Sequence, residues 1–234
     1  MNRLISTIVL VVFTSLVFNA RAYDGEEPVE LDWYPLFTDS VGWNIYSGGF
    51  MFGWVNGCGS DLDFDMGHGY ELAWLNVVGA KYNSGHGQRI TMGLGIDWRN
   101  YKLKSDRQFV DNGGILVTEP YPEGATRQSS RVKVFSLTLP ILFRQRLFNK
   151  VDLFAGPVVN FNLHASVESV YTLDGEKMKY TSNDVGQVPV TVDILGGVKW
   201  NCLGAYVRYS PCHVLKESRA PAFTSLSAGL WLGF

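Results

Sequence analysis

The chain has 234 residues, of which 46% are hydrophobic, 14% aromatic and only 18% charged, with 25 glycines and a formal net charge of −2. That length suits one substantial domain after processing, and a near-neutral charge with scattered basic residues lacks the footprint of a nucleic-acid binder. A mean hydropathy of +0.02, with no stretch after Tyr23 near the roughly 20 apolar residues of a membrane helix, excludes a helical membrane protein.

Arg3 leads an apolar run over residues 4–18, and Ala20-Arg21-Ala22 places small residues at a secretory cleavage spacing. Residues 1–22 therefore read as a signal peptide cut before Tyr23, because the run is short for an uncleaved anchor. Tyr23 is not a cysteine, so no lipid-anchored N-terminus is expected. Residues 23–46, acidic between Asp24 and Asp32, read as a periplasmic lead-in, and residues 47–234 as an outer-membrane β-barrel.

From there a period of two recurs, the mark of strands with one apolar face. Residues 49–55 carry Phe50, Phe52 and Trp54 on that face. Residues 70–82 carry Tyr70, Leu72, Trp74, Val78 and Ala80, with Asn76 as an interruption. Residues 89–103 alternate Ile90, Met92, Leu94, Ile96 and Trp98 with polar or small neighbours. Residues 135–143 and 153–161 repeat the pattern, weakened by Pro140 and Pro157. Residues 188–200, 203–209 and 226–234 complete the set, with Trp231 the one large residue on the polar side of the last. The fold expected is all-β: a closed antiparallel transmembrane barrel, eight-stranded, with extended extracellular hairpin loops.

Connection lengths alternate as such a barrel requires. Short turns fall at 83–87, 147–150 and 201–202, and long loops at 56–69, 104–130, 164–187 and 211–222. Within the long loops, apolar residues flank Asp111-Asn112-Gly113-Gly114, and a second hairpin is centred on Asp174-Gly175; both read as hairpins above the membrane. Cys58 and Cys212 fall at the same, outer end, so either a disulfide in an oxidising compartment or two free thiols fits. The histidines show no ligand-like spacing, and neither a metal nor another cofactor is expected.

Alternation alone does not say which face meets water. The apolar face ends in aromatic residues at both levels, Tyr70, Trp98, Phe135, Phe161 and Tyr209 above and Phe50, Tyr82, Phe143, Trp200 and Phe234 below, as bilayer girdles do. The opposite face is rich in Gly, Ser, Thr and Asn, bare for a soluble exterior. Leu230, Leu232 and Phe234 form an alternating C-terminus like the signal read by the outer-membrane barrel assembly machinery. The expected location is the bacterial outer membrane, with lipid and that machinery as partners and any extracellular or periplasmic protein partner unidentified.

Segments such as Gly93-Leu94-Gly95-Ile96-Asp97-Trp98-Arg99-Asn100-Tyr101 and Gly156-Pro157-Val158-Val159-Asn160-Phe161-Asn162 resemble the small outer-membrane barrels of Bacteroidota, the PorT-like or outer membrane protein beta-barrel domain group. The resemblance implies fold and compartment and carries over no catalytic residue.

Charges on an interior face must be paired or solvated. Hairpin folding sets Glu71 opposite Arg99, brings Arg144 near Asp152, and puts Asp193 and Arg208 on adjacent strands. These read as lumen charge pairs in a packed polar core, since eight strands leave little more than side-chain room. His164-Ala165-Ser166 with Glu168 nearby resembles in outline the His-x-Ser pair of lipid A deacylases. His164 and Ser166, however, continue the inward phase of Asn160 and Asn162, where membrane lipid does not reach. The expected role is non-enzymatic: structural, binding or secretion-accessory, with lipid modification or a small pore as alternatives.

Overall fold

The computed structural model describes residues 41–233 apart from Ser60, Asp61, Gly85, Ser105, Asn149 and Asp184. The signal peptide, its cleavage site and Phe234 lie outside the described residues. Among the described residues there are twelve strands: β1 (Gly42–Tyr46), β2 (Phe50–Cys58), β3 (Tyr70–Asn83), β4 (Gln88–Lys102), β5 (Arg107–Asn112), β6 (Ile115–Pro120), β7 (Thr126–Phe148), β8 (Val151–Leu173), β9 (Glu176–Ser182), β10 (Val190–Trp200), β11 (Leu203–Ser210) and β12 (Thr224–Leu232).

β2, β3, β4, β7, β8, β10, β11 and β12 pair antiparallel in that order, and β12 returns to β2, so the sheet closes into an eight-stranded barrel without an edge. β1 extends the first stave. It pairs with residues 79–83 of β3 while β2 pairs with residues 70–74, so Gly42–Tyr46 belongs to the sheet rather than to a lead-in ending at residue 46. Trp43 on this added piece faces outward, its ring 5.4 Å from that of Tyr82.

Every stave puts its apolar phase outside. Phe52, Trp54, Leu72, Ile194, Val207 and Leu230 are among many large apolar side chains left exposed. Asn76 does not break this face. A bulge between Trp74 and Val78, with Asn76 at φ 55°, turns its amide into the lumen, where it donates to Tyr46 Oη, and returns Val78 to the outside. Pro140 is accommodated where the β4–β7 ladder lapses between Met92↔Ile141 and Gly95↔Thr138, since a proline nitrogen has nothing to donate.

β7 and β8 run 23 residues each, so both continue well past the barrel at the long-loop end, where β9 joins β8 through the turn at Asp174 (φ 51°) and Gly175 (φ 83°). The other long-loop hairpin, β5–β6, turns at Gly113 and Gly114, both with positive φ. It does not stand free. Phe109 and Leu116 are buried against Val132, Ala165, Val167 and Phe223, so the hairpin folds over the barrel mouth as a lid.

Candidate functional site

The inward phase of the staves builds the lumen in layers. At its centre Arg208 on β11 reaches across to β3, placing Nη1 2.6 Å from Glu71 Oε1 and 3.0 Å from Asp97 Oδ2, while its Nε donates to Asp193 Oδ2 at 2.7 Å. Arg99 Nε donates to Asp97 Oδ2 at 2.8 Å and lies 3.6 Å from Glu71 Oε1, and its Nη2 bonds Asp193. Asn160 accepts from Arg208 Nη2 at 2.6 Å and donates to Thr191, and Tyr206 Oη donates to Glu71 Oε2 at 3.1 Å. All these side chains are buried, so the guanidinium forks and carboxylates replace the hydration that each charge has lost.

The expected neighbours Glu71 with Arg99 and Asp193 with Arg208 are therefore present, within a larger network that also takes in Asp97. The pairing of Arg144 with Asp152 is corrected. Arg144 stands opposite Phe154, and the partner of Asp152 is Arg146, with Nε 3.4 Å from Oδ1 at the short-turn rim. The offset arises at the β7–β8 turn, where the register shifts between Arg146 and Phe148. The guanidinium of Arg144 instead lies 5.0 Å from the ring centre of Trp231.

Nor is the filling only polar. Below the ionic layer, Met51, Leu75, Leu142, Phe154, Leu195 and Trp231 form an apolar cluster inside the barrel. Above it, the lid completes a second. Ser130 Oγ accepts from Phe109 N at 3.0 Å and Ser169 Oγ donates to Phe109 O at 3.0 Å, seating the hairpin on the inner face of β7 and β8. Leu116 N donates to Arg219 O at 2.7 Å, and Val214 N to Phe223 O at 2.9 Å, which ties the β11–β12 loop into the same plug.

His164 and Ser166 do not keep the inward phase of Asn160. The β7–β8 register passes from Ser136↔Asn162 to Phe135↔His164, so Leu163 is an extra, bulged residue and the phase reverses beyond it. Ala165 and Val167 then point inward, and His164 shares the outward side of Phe135. Ser166 is nevertheless buried, Glu168 is held by Lys133 at 2.9 Å and Lys179 at 3.3 Å, and among the described residues no hydrogen bond joins His164 to Ser166.

Cys58 and Cys212 are free thiols. β12 lies between β2 and β11, so the two positions stand about two strand spacings, ~10 Å, apart, beyond the Cα separation of about 7 Å that a disulfide spans. Cys212 Sγ lies 3.8 Å from Val192 O instead. The histidines make local pairs, His68 with Asp65 at 2.7 Å and His213 with Glu217 at 2.9 Å.

No family model matches the chain, and neither does any curated protein. Among solved structures, the crystal structure of Ail, the attachment invasion locus protein of Yersinia pestis, is similar at a TM-score of 0.37 and 10% identity, covering 83% of this chain and 100% of that one. The structure of Ail in complex with the heparin analogue sucrose octasulfate gives 0.36 and 10%, with the same coverage of 83% and 100%. Likeness at this level carries nothing about ligand or role.

Proposed function

We propose that this chain is an integral protein of the bacterial outer membrane, a plugged barrel with a structural, binding or secretion-accessory role and no enzymatic activity. The observation that carries this reading is the apolar exterior of a closed barrel. Trp200 is 65% exposed, Ile194 60%, Phe52 55% and Val207 55%, and a chain surrounded by water would pay for that surface all around its girth. In a bilayer the same surface is solvated, and closure leaves no backbone polar group facing lipid.

Strand lengths support it. β10, β11, β12 and β2 have 11, 8, 9 and 9 residues, near the roughly 9–11 that a tilted stave needs to cross a hydrocarbon core. The quoted segments make a PorT-like barrel of Bacteroidota the closer reading of kinship. Binding of a partner falls to the lid and to the β7–β8–β9 extension, since recognition concentrates on elements held above a rigid scaffold. Outer-membrane recovery of the mature protein, with a gel mobility that changes on boiling, is the expected result; soluble recovery would overturn the reading.

His164 and Ser166 share the outward phase, but Ser166 is buried, so the pair presents no open nucleophile to membrane lipid. A non-enzymatic barrel predicts that Ser166→Ala and His164→Ala leave lipid A acyl composition unchanged. A gained acyl chain in either variant would make the protein a deacylase instead.

A further inference from the structure

The outer wall of the barrel changes character just past its upper aromatic row. On the outward phase Trp98 of β4 stands beside Phe135 of β7, and the next outward pairs along the same two strands are Asn100 with Lys133 and Lys102 with Arg131. Lys179 of β9 continues this basic row on the far side of β8. Two carboxylates serve it. Asp65 Oδ2 lies 3.3 Å from Lys102 Nζ and 2.7 Å from His68 Nδ1, and Glu168 Oε2 lies 2.9 Å from Lys133 Nζ and 3.3 Å from Lys179 Nζ. The Nη1 of Arg131 donates to neutral acceptors, Asn100 Oδ1 at 3.0 Å and His68 O at 3.2 Å, and among the described residues no carboxylate pairs with this guanidinium. Four cations therefore share two carboxylates. Lys102 and Arg131, directly opposite each other, repel unless an anion bridges them.

We propose that this row, Lys102, Arg131, Lys133 and Lys179, binds the phosphate groups of a lipid headgroup in the leaflet at the long-loop end. The inference rests on the membrane location proposed above. Depth singles out a lipid as the occupant. Lys133 stands two residues above Phe135 and Arg131 four, about 7 and 13 Å along a strand at roughly 3.3 Å per residue, and less once the strand tilts. Lipid headgroups fill about 5–8 Å beyond the hydrocarbon core, so these side chains reach that layer directly above the aromatic row. The row also faces sideways, away from the barrel axis, toward whatever surrounds the wall. Phosphate suits it because the excess charge is positive and because the Arg131 fork, aimed at neutral oxygens, gains a charge-assisted hydrogen bond from an oxyanion.

The test is native mass spectrometry of the mature protein, folded in detergent, titrated with lipid A carrying two phosphates, with the same lipid after phosphatase treatment, with inorganic phosphate and with polyglutamate. Saturable binding of the phosphorylated lipid, lost with its phosphates, is expected. Arg131→Met and Lys133→Met each weaken it about fivefold, the worth of one cation beside an anionic lipid surface. Lys150→Met, exposed in the short turn at the opposite end, leaves it unchanged. Glu168→Gln decides the matter, since misfolding does not produce a gain: it frees Lys133 and Lys179 of their carboxylate and tightens binding several-fold. Equal binding of the dephosphorylated lipid, equally tight binding of inorganic phosphate or polyglutamate, or indifference to both Arg131→Met and Glu168→Gln overturns the proposal. Failure here by a chain that fractionates with the outer membrane and shifts its mobility on boiling leaves the proposed location standing, whereas soluble recovery removes both.

Discussion

Arg208 joins staves on opposite sides of the barrel, so its value differs in kind from that of an ion pair at the rim. Its side chain is 1% exposed and touches Glu71, Asp97 and Asp193, which would all be left without this partner if it were removed. Arg208→Met is therefore expected to destabilise the folded barrel by about 3–5 kcal/mol, the usual penalty for stranding buried charge. The contrast is Arg146, whose side chain is 41% exposed beside Asp152. Arg146→Ala should cost about 1 kcal/mol or less, because water already screens that pair. Urea unfolding of both variants in lipid vesicles measures the difference. Equal losses would mean that the central network is solvated and the lumen is wet.

At the scale of elements, each barrel strand was legible because one face carries large apolar side chains and the other small or polar ones, which writes a period of two into the sequence. What was not legible is where that contrast ends. The loop expected at 104–130 takes in residues 126–130 of β7 and the strand expected at 135–143 omits residues 131–134, yet all of them continue the strand, with Val132 and Val134 turned toward the lid. The bulge at Leu163 is equally silent, since a single inserted residue reverses the phase without any composition signal, and it misdirected the reading of His164 and Ser166. Hairpin register foretold Glu71 beside Arg99, but the contact of Arg208 with Glu71 crosses the lumen and follows only from closure. The β8–β9 extension has its own dependence on pH. The hydrogen bond from Lys133 is the main cause holding the Glu168 carboxyl below the ordinary glutamate range, with Lys179 adding to it. Because the folded value is the lower one, this stabilisation is complete above the ordinary range and is lost as pH falls through the folded value. β9 resonances should thus keep their native shifts from neutral pH through the ordinary glutamate range and broaden only below it. Lys133→Met should move that onset upward, and an onset already near neutrality would assign the extension's stability to other contacts.

For the whole molecule, the order of layers along the axis matters more than any one of them. A lid cluster, an ionic layer and a lower apolar cluster succeed one another inside a barrel whose eight staves leave little more than side-chain room. An ion would have to pass two dry constrictions and displace guanidinium–carboxylate pairs, and each of these is a barrier without the others. The intact protein is accordingly expected to show no steady conductance in planar bilayers. The stronger form of the argument concerns the lid. Phe109→Ala with Leu116→Ala removes the two side chains by which the β5–β6 hairpin enters the upper cluster, and should release the hairpin while leaving the two deeper barriers in place. That double variant should become cleavable by trypsin at Arg107, at the exposed base of the hairpin, and still conduct nothing. Steady openings in the released variant would place the only barrier in the lid, and the protein would then be a gated pore.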